Sequence, residues 1–329
     1  MPRRRRRIIS KKCYEIGIRA RAGLPLVAYD TIKLLLSSAI ARTQRDDKVL
    51  LCHDIWNGSH AHIIVVALDS QKCTQFYGEI QKRITDALKR FLGLEYLDLW
   101  EGSAMVAEIA DLNEAVERMV YIYTNPAKDC LVETIEEFPG LSSWNEFKRS
   151  LDKPDAVTEE DFPWIRLASI PQLPNPRLSK QEDQMLSKKL REDNKKLHPL
   201  KRHINAWMRC FGITEADEVK ETNERILRRI QETEEAFKQI RAEEGTNVMG
   251  IAYLESQPIL KPHKPKPKER NIFVLCSIAE LRISIIEDSD AYDEQCNECL
   301  SRWRNGEFHI EWPPGAFKPP LPPLVNLLP

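Results

Sequence analysis

Hydrophobic residues in the first 150 positions switch between two periods. Residues 13–21, C-Y-E-I-G-I-R-A-R, put apolar and polar side chains on alternate sides, as a half-buried strand requires. Residues 28–42 change to helical spacing. Two apolar runs follow, 49–51 and 63–68, separated by Asn57, Gly58 and Ser59, which supply a turn or bulge. Phe76, Ile80, Ile84, Leu88 and Phe91 then share one face of a helix that Ser70 is expected to cap and Gly93 to stop. Residues 94–100 read as another strand. Asp111, with Glu114 three positions on, opens a helix that Pro126 must end. The order β-α-β-β-α-β-α predicts an α+β domain whose antiparallel sheet is covered by helices.

Beyond the proline-rich stretch 171–177 the pattern becomes charged and helical over 179–245, with Thr214 and Asp217 resembling a capping box. Val219, Ile226, Ile230, Phe237 and Ile240 lie near a heptad seam that Asn223 and Thr233 interrupt. Over about three heptads, this seam favours packing against the first domain rather than a coiled-coil dimer, although a homodimer stays open. The segment K-P-H-K-P-K-P-K at 261–268 reads as an extended basic linker, and the tail 313–329 as irregular. Trp207, Trp303 and Trp312 are expected in the core of this half. The division is therefore an α+β domain over 1–150 and a helix-rich region of unassigned role over 151–329.

Composition narrows the class. With 329 residues and 42% hydrophobic side chains, the chain can bury two ordinary cores. Its longest apolar runs fall well short of the roughly 20 residues of a membrane span, so no membrane is expected as a partner. Five arginines at 3–7 are followed by Ser10, Lys11 and Lys12 instead of an apolar signal segment, so no export is expected. Eight scattered cysteines fit reduced thiols, and the C-x-x-C of Cys296 and Cys299 lacks a second pair to complete a zinc site. Net charge is -1, yet residues 1–24 carry nine Lys or Arg and a single acid, Glu15. Such an arm can neutralise phosphates, as can Lys72, Lys82, Arg83, Lys89 and Arg90 on the outer face of the 70–92 helix.

His60 and His62 are two apart on a predicted strand, so both imidazoles leave the same face and can reach one metal ion, while Ala61 and Ile63 face the core. Tyr121 and Asn125 are four apart on a predicted helix and also share a face. Asn125 can add a neutral oxygen to a Mg²⁺ or Mn²⁺ site that leaves positions open for phosphate. Tyr123 points elsewhere and reads as packing. Trp56 and Trp100 are candidates for base stacking, with the core as the commoner place for a tryptophan.

The segments G-S-H-A-H-I-I-V at 58–65 and Y-I-Y-T-N-P-A-K-D-C-L-V at 121–132 together resemble the HUH single-tyrosine transposases, in particular the REP-associated ones and their insertion-sequence relatives. The similarity runs loosely from residue 10 to about 147, where F-P-G-L-S-S-W resembles the segment after the tyrosine helix, and leaves 150–329 uncovered. The resemblance implies a ferredoxin-like or RRM-like catalytic domain in which His60, His62 and Asn125 hold Mg²⁺ or Mn²⁺ and Tyr121 attacks DNA. It further implies single-stranded or hairpin DNA as substrate and a cytoplasmic, nucleoid-associated protein. Two positions depart from the family pattern: Ser59, where Asn is common, and Ala127, where Val is common. Neither removes a reactive group. Three other readings compete: a nicking enzyme of replication or conjugation, a hairpin-binding protein without cleavage, and a metal-dependent phosphohydrolase using the histidine pair with His53.

Overall fold

The computed structural model describes residues 5–21, 28–44, 47–173, 177–259, 272–316 and 318–321. In chain order its elements are β1 (Lys12–Arg19), α1 (Asp30–Thr43), β2 (Val49–Trp56), β3 (His60–Ala67), α2 (Ser70–Phe91), β4 (Met105–Ile109), α3 (Leu112–Lys128), α4 (Trp144–Lys148), β5 (Val157–Pro163), α5 (Lys180–Asp193), β6 (Leu197–His203), α6 (Ala216–Glu244), α7 (Ile251–Glu255), β7 (Val274–Leu275) and α8 (Ala279–Arg304). Arg3 and Arg4, the basic linker 261–268, part of the stretch 171–177 and most of the tail lie outside the described residues.

β1, β2, β3 and β4 form an antiparallel β2-β3-β1-β4 sheet, and β7 adds a parallel strand beside β4. With α1 and α2 as the two connections, this is the expected ferredoxin-like α+β arrangement, extended by one strand from the far end of the chain. Alternation gives the sheet two buried faces. Ile16, Ile18, Ala61, Ile63 and Val65 pack on Ile32, Leu35 and Leu36 of α1 and on Phe76, Ile80 and Ile84 of α2. Cys13, Ile64, Val66, Ala107 and Ile109 pack on Val116, Met119 and Val120 of α3.

Several boundaries differ from the pattern-based expectation. The fourth strand is β4 rather than 94–100, where Trp100 forms only an isolated bridge to Ala20. The Trp100 indole N–H donates to the Gln81 carbonyl at 3.0 Å and to Thr85 Oγ1 at 2.9 Å, so its segment is drawn onto α2. Asp69, not Ser70, caps α2, accepting from the Lys72 N–H at 2.8 Å. Pro126 lies inside α3, which runs on to Lys128. In the last turn the missing proline N–H forfeits one bond, and the Asp129 and Leu131 N–H groups close the helix on the Asn125 and Pro126 carbonyls. Glu215, rather than Thr214, precedes α6, and the Thr214 hydroxyl bonds the Glu215 carboxylate.

In the region read as helical, β6 intervenes between α5 and α6 and pairs antiparallel with β5. α6 lays Val219, Ile226 and Ile230 into the same core as α3 and fastens α3 with polar contacts. Arg229 pairs with Glu117, Arg225 donates to Asn113 at 3.3 Å, and Arg241 donates to the Ala127 carbonyl at 2.9 Å. Of the three tryptophans expected in this core, only Trp207 is fully buried, while Trp303 and Trp312 are half-exposed. All eight cysteines are free thiols. No described helix is long and apolar enough to cross a membrane.

β6 is tied to the main sheet through charge. Arg202 donates to Asp54 on β2 at 2.7 Å and to Glu146 at 3.2 Å, with Arg202 and Asp54 both fully buried. Arg202→Met leaves a buried carboxylate without its counter-charge and is expected to lower stability by about 3–5 kcal/mol in denaturant titration. A second prediction concerns Glu234 on α6, whose carboxylate accepts from the Ile135 N–H. Burial, reinforced by Glu136 and Glu137, pushes its pKa up to about 7 from 4.5. The folded state therefore holds this proton more tightly than the unfolded one, and the associated stability is lost as pH rises from about 4.5 through 7. Glu234→Gln keeps the acceptor oxygen and should flatten that dependence. At pH 8 it should exceed the native protein by about 1–2 kcal/mol, a figure reduced for water reaching the carboxylate.

Candidate active site

His60 and His62 open β3 immediately after the turn closed by the Asn57 N–H on the His60 carbonyl at 2.8 Å. Strand alternation turns both imidazoles toward α3, with ring centroids 5.1 Å apart and planes at 85°. Tyr121 and Asn125, one helical turn apart on α3, meet them. The Tyr121 ring stands edge-to-face on His62 at 5.3 Å, and Asn125 Nδ2 lies 3.3 Å from His62 Nε2. The Asn125 amide also bears on His60. The four residues singled out by spacing and resemblance are thus brought together within one chain.

Hydrogen bonding sets the tautomers. Asn57 Nδ2 lies 3.2 Å from His60 Nε2, and Asn125 Nδ2 faces His62 Nε2. With the amides in this orientation their nitrogens donate and both Nε2 atoms accept. Each Nδ1–H is then donated, from His60 to Ser59 Oγ at 3.1 Å and from His62 to Glu15 Oε1 at 2.6 Å. Burial, aided by the neighbouring His62, pushes the His60 pKa down to about 4, which favours neutral imidazole.

Glu15 and Arg118 are the residues the sequence reading missed. Glu15 is 0% exposed and stands two positions before Gly17, which lies opposite His62 in the β1–β3 register. Arg118 Nε donates to Glu15 Oε2 at 2.9 Å. Burial alone would raise the Glu15 pKa, but the hydrogen bond from His62 and the hydrogen bond and charge of Arg118 outweigh it and hold the carboxyl below the usual glutamate range. The guanidinium carbon of Arg118 lies 4.4 Å from the Tyr121 ring centroid, and Lys128 Nζ lies 4.8 Å from it. Both cations therefore lie against the Tyr121 ring within cation–π distance. The one sequence signal for Glu15 was an acid alone in a basic segment; Arg118 is three residues before Tyr121, on the same helical face.

Other candidates lie elsewhere. His53 is fully buried, with Nδ1 2.7 Å from the Tyr123 hydroxyl, and burial lowers its pKa to about 3. It packs with Tyr123 and Phe147 and does not join the histidine pair. Trp56 is buried with its indole on Asp54, and Trp100 is docked on α2. Lys72, Lys82, Arg83, Lys89 and Arg90 sit on α2, across the sheet from the histidines, and Arg83 pairs with Glu79. At the start of the chain, Arg5 donates to Asn297 and Arg7 pairs with Asp288, both on α8. Lys12, just beyond, aligns with Ala67, whereas His60 aligns with Arg19 at the opposite end of β1.

His60, His62 and Asn125 are the residues that would hold a divalent cation: two imidazole nitrogens, which are borderline donors, and an amide that can present a harder oxygen after a half-turn, with coordination positions left open. A carboxylate behind a ligating histidine is the usual support of such a site. Among the described residues no group of three or more His, Cys, Asp or Glu side chains could hold a metal.

No protein-family model and no curated protein matches the sequence. Among solved structures, one described as a REP-associated tyrosine transposase bound to a REP hairpin is similar over 45% of this chain and 86% of that chain, at 22% identity and a TM-score of 0.40.

Titration calorimetry with Mn²⁺ alone tests the donor set. The native chain should bind one ion, and His60→Ala or His62→Ala should weaken it by more than the roughly 10–100-fold typical of losing a supporting group. Unchanged affinity in both variants would mean that the imidazoles do not hold metal.

Proposed function

We propose that this protein is a metal-dependent DNA strand transferase of the single-tyrosine transposase type, with Tyr121 as nucleophile and single-stranded or hairpin-bordered DNA as substrate. The observation that carries the reading is the approach of the Tyr121 phenol to His62, 5.3 Å between ring centroids, with the Asn125 amide against both imidazoles. The motif resemblance supports the same roles: His60, His62 and Asn125 as metal ligands and Tyr121 as the attacking group.

An unperturbed phenol has a pKa near 10 and is a weak nucleophile at neutral pH. Arg118 and Lys128 against the ring favour the phenolate as it forms. A bound Mg²⁺ or Mn²⁺ would supply Lewis-acid polarisation of the phosphate and orientation for in-line displacement. Tyr121 oxygen forms a bond to phosphorus while the bond from phosphorus to the 3'-oxygen breaks. The phenol proton passes to water and the departing 3'-oxygen takes one up. The products are a 5'-phosphotyrosine and a free 3'-hydroxyl. The new bond is again a phosphodiester of similar energy, so a 3'-hydroxyl can reverse the step and join new DNA without a nucleotide cofactor. An extended, unpaired backbone suits the geometry, because the attacked phosphate must reach a half-buried tyrosine on a rigid helix.

The test is a labelled single-stranded hairpin library with Mn²⁺. The native chain should form a covalent protein–DNA adduct, and Tyr121→Phe, which has no oxygen to attack phosphorus, should form none. Adduct formation followed by rejoining to a second strand supports transfer, whereas cutting without rejoining favours a nicking enzyme. Cleavage that survives Tyr121→Phe but needs His62 would replace this reading with water-driven phosphodiester hydrolysis. DNA bound and never cut would replace it with a hairpin-binding protein.

A further inference from the structure

The buried Glu15 carboxylate has one oxygen on His62 Nδ1 at 2.6 Å and the other on Arg118 Nε at 2.9 Å, so one group on β1 holds both a histidine of β3 and a guanidinium of α3. A fully buried carboxylate is costly unless both oxygens are matched, and the geometry matches them with donors from two different elements. Arg118 has five N–H donors; Nε is on Glu15, and the guanidinium carbon lies 4.4 Å from the Tyr121 ring centroid. A planar fork held in this way matches two oxygens of a phosphate.

From this juxtaposition we infer that Glu15 is a positioning residue that couples the two halves of the site: it aims His62 Nε2 at Asn125, and it holds Arg118 so that its Nη groups take the non-bridging oxygens of the phosphate Tyr121 attacks. The inference rests on the reading under Proposed function for the identity of the phosphate, but not for the coupling itself. In this arrangement Arg118 is a catalytic residue touching substrate, and Glu15 acts through Arg118 and His62. Lysine at 118 keeps the charge but cannot bond Glu15 and a phosphate in the same fork geometry.

The test uses the full chain and three variants, Glu15→Gln, Arg118→Gln and Arg118→Lys, with Mn²⁺ alone as one probe and a cleavable single-stranded hairpin as the other. Glu15→Gln should weaken Mn²⁺ binding by about 10–100-fold and move the His62 imidazole ¹⁵N resonances of the metal-free protein, because the Nδ1–H loses its carboxylate. Arg118→Gln should leave Mn²⁺ affinity near native while slowing adduct formation about 10²-fold at saturating DNA, and Arg118→Lys should recover only part of that loss. The rate losses of Glu15→Gln and Arg118→Gln should fall well short of adding in the double variant, since the second removes what the first has already misplaced.

Native Mn²⁺ affinity and native His62 resonances in Glu15→Gln would overturn the coupling. Full additivity, or complete rescue by Arg118→Lys, would overturn the role given to Arg118. If Glu15→Gln does not fold, Arg118→Gln, whose side chain is partly exposed, still decides the phosphate half of the inference. If the native chain forms no adduct with any DNA, the transposase reading falls, while the Mn²⁺ affinities and imidazole resonances still decide whether Glu15 sets His62.

Discussion

A carboxylate with no exposed surface must find a donor for each oxygen, and that constraint organises this site. Glu15 draws one donor from His62 on β3 and one from Arg118 on α3. Satisfying both ties α3 to the sheet beside its apolar packing. Once Arg118 is placed, the helical repeat places Tyr121 and Asn125 on the same face, over His62. The C-terminal half then holds α3 there: α6 buries three aliphatic residues beside it and fixes its two ends through Arg225, Arg229 and Arg241. On the proposed function, rigid support of this kind would keep Tyr121 within the narrow tolerance that in-line attack demands.

What was legible in the sequence followed from alternation and spacing. The two-faced sheet needs apolar residues on one side of β1 and β3 and a mixture on the other, so these strands and the shared face of His60 and His62 could be read directly, as could the shared face of Tyr121 and Asn125. β4 could not. Leu97, Leu99 and Trp100 resemble a strand because they are apolar, yet their burial comes from docking on the helical layer, while the paired residues are 105–109. β5 and β6, V-T-E-E-D-F-P and L-H-P-L-K-R-H, were hidden because most of their side chains are polar and one face of their small sheet is open to water.

Glu15 and Arg118 were invisible for a related reason. Charged residues on amphipathic elements ordinarily read as solvated faces, and only tertiary packing shows that these two neutralise one another beneath a tyrosine. The same blindness affected the basic segments. Arg5 and Arg7 read as free phosphate contacts, but Asn297 and Asp288 of α8, more than 280 residues away in sequence, engage them. Among the described residues, Arg118 and Lys128 are instead the cations that lie against the Tyr121 ring, and no run of charge announced them.

The central claim, that Tyr121 is the group that joins DNA, is tested most directly by tandem mass spectrometry of the nuclease-trimmed protein after reaction with a single-stranded hairpin and Mn²⁺. The account predicts a nucleotide joined through its 5'-phosphate to Tyr121. A nucleotide carried by another residue, such as Tyr123, or strand cleavage that leaves no modified peptide, would contradict it.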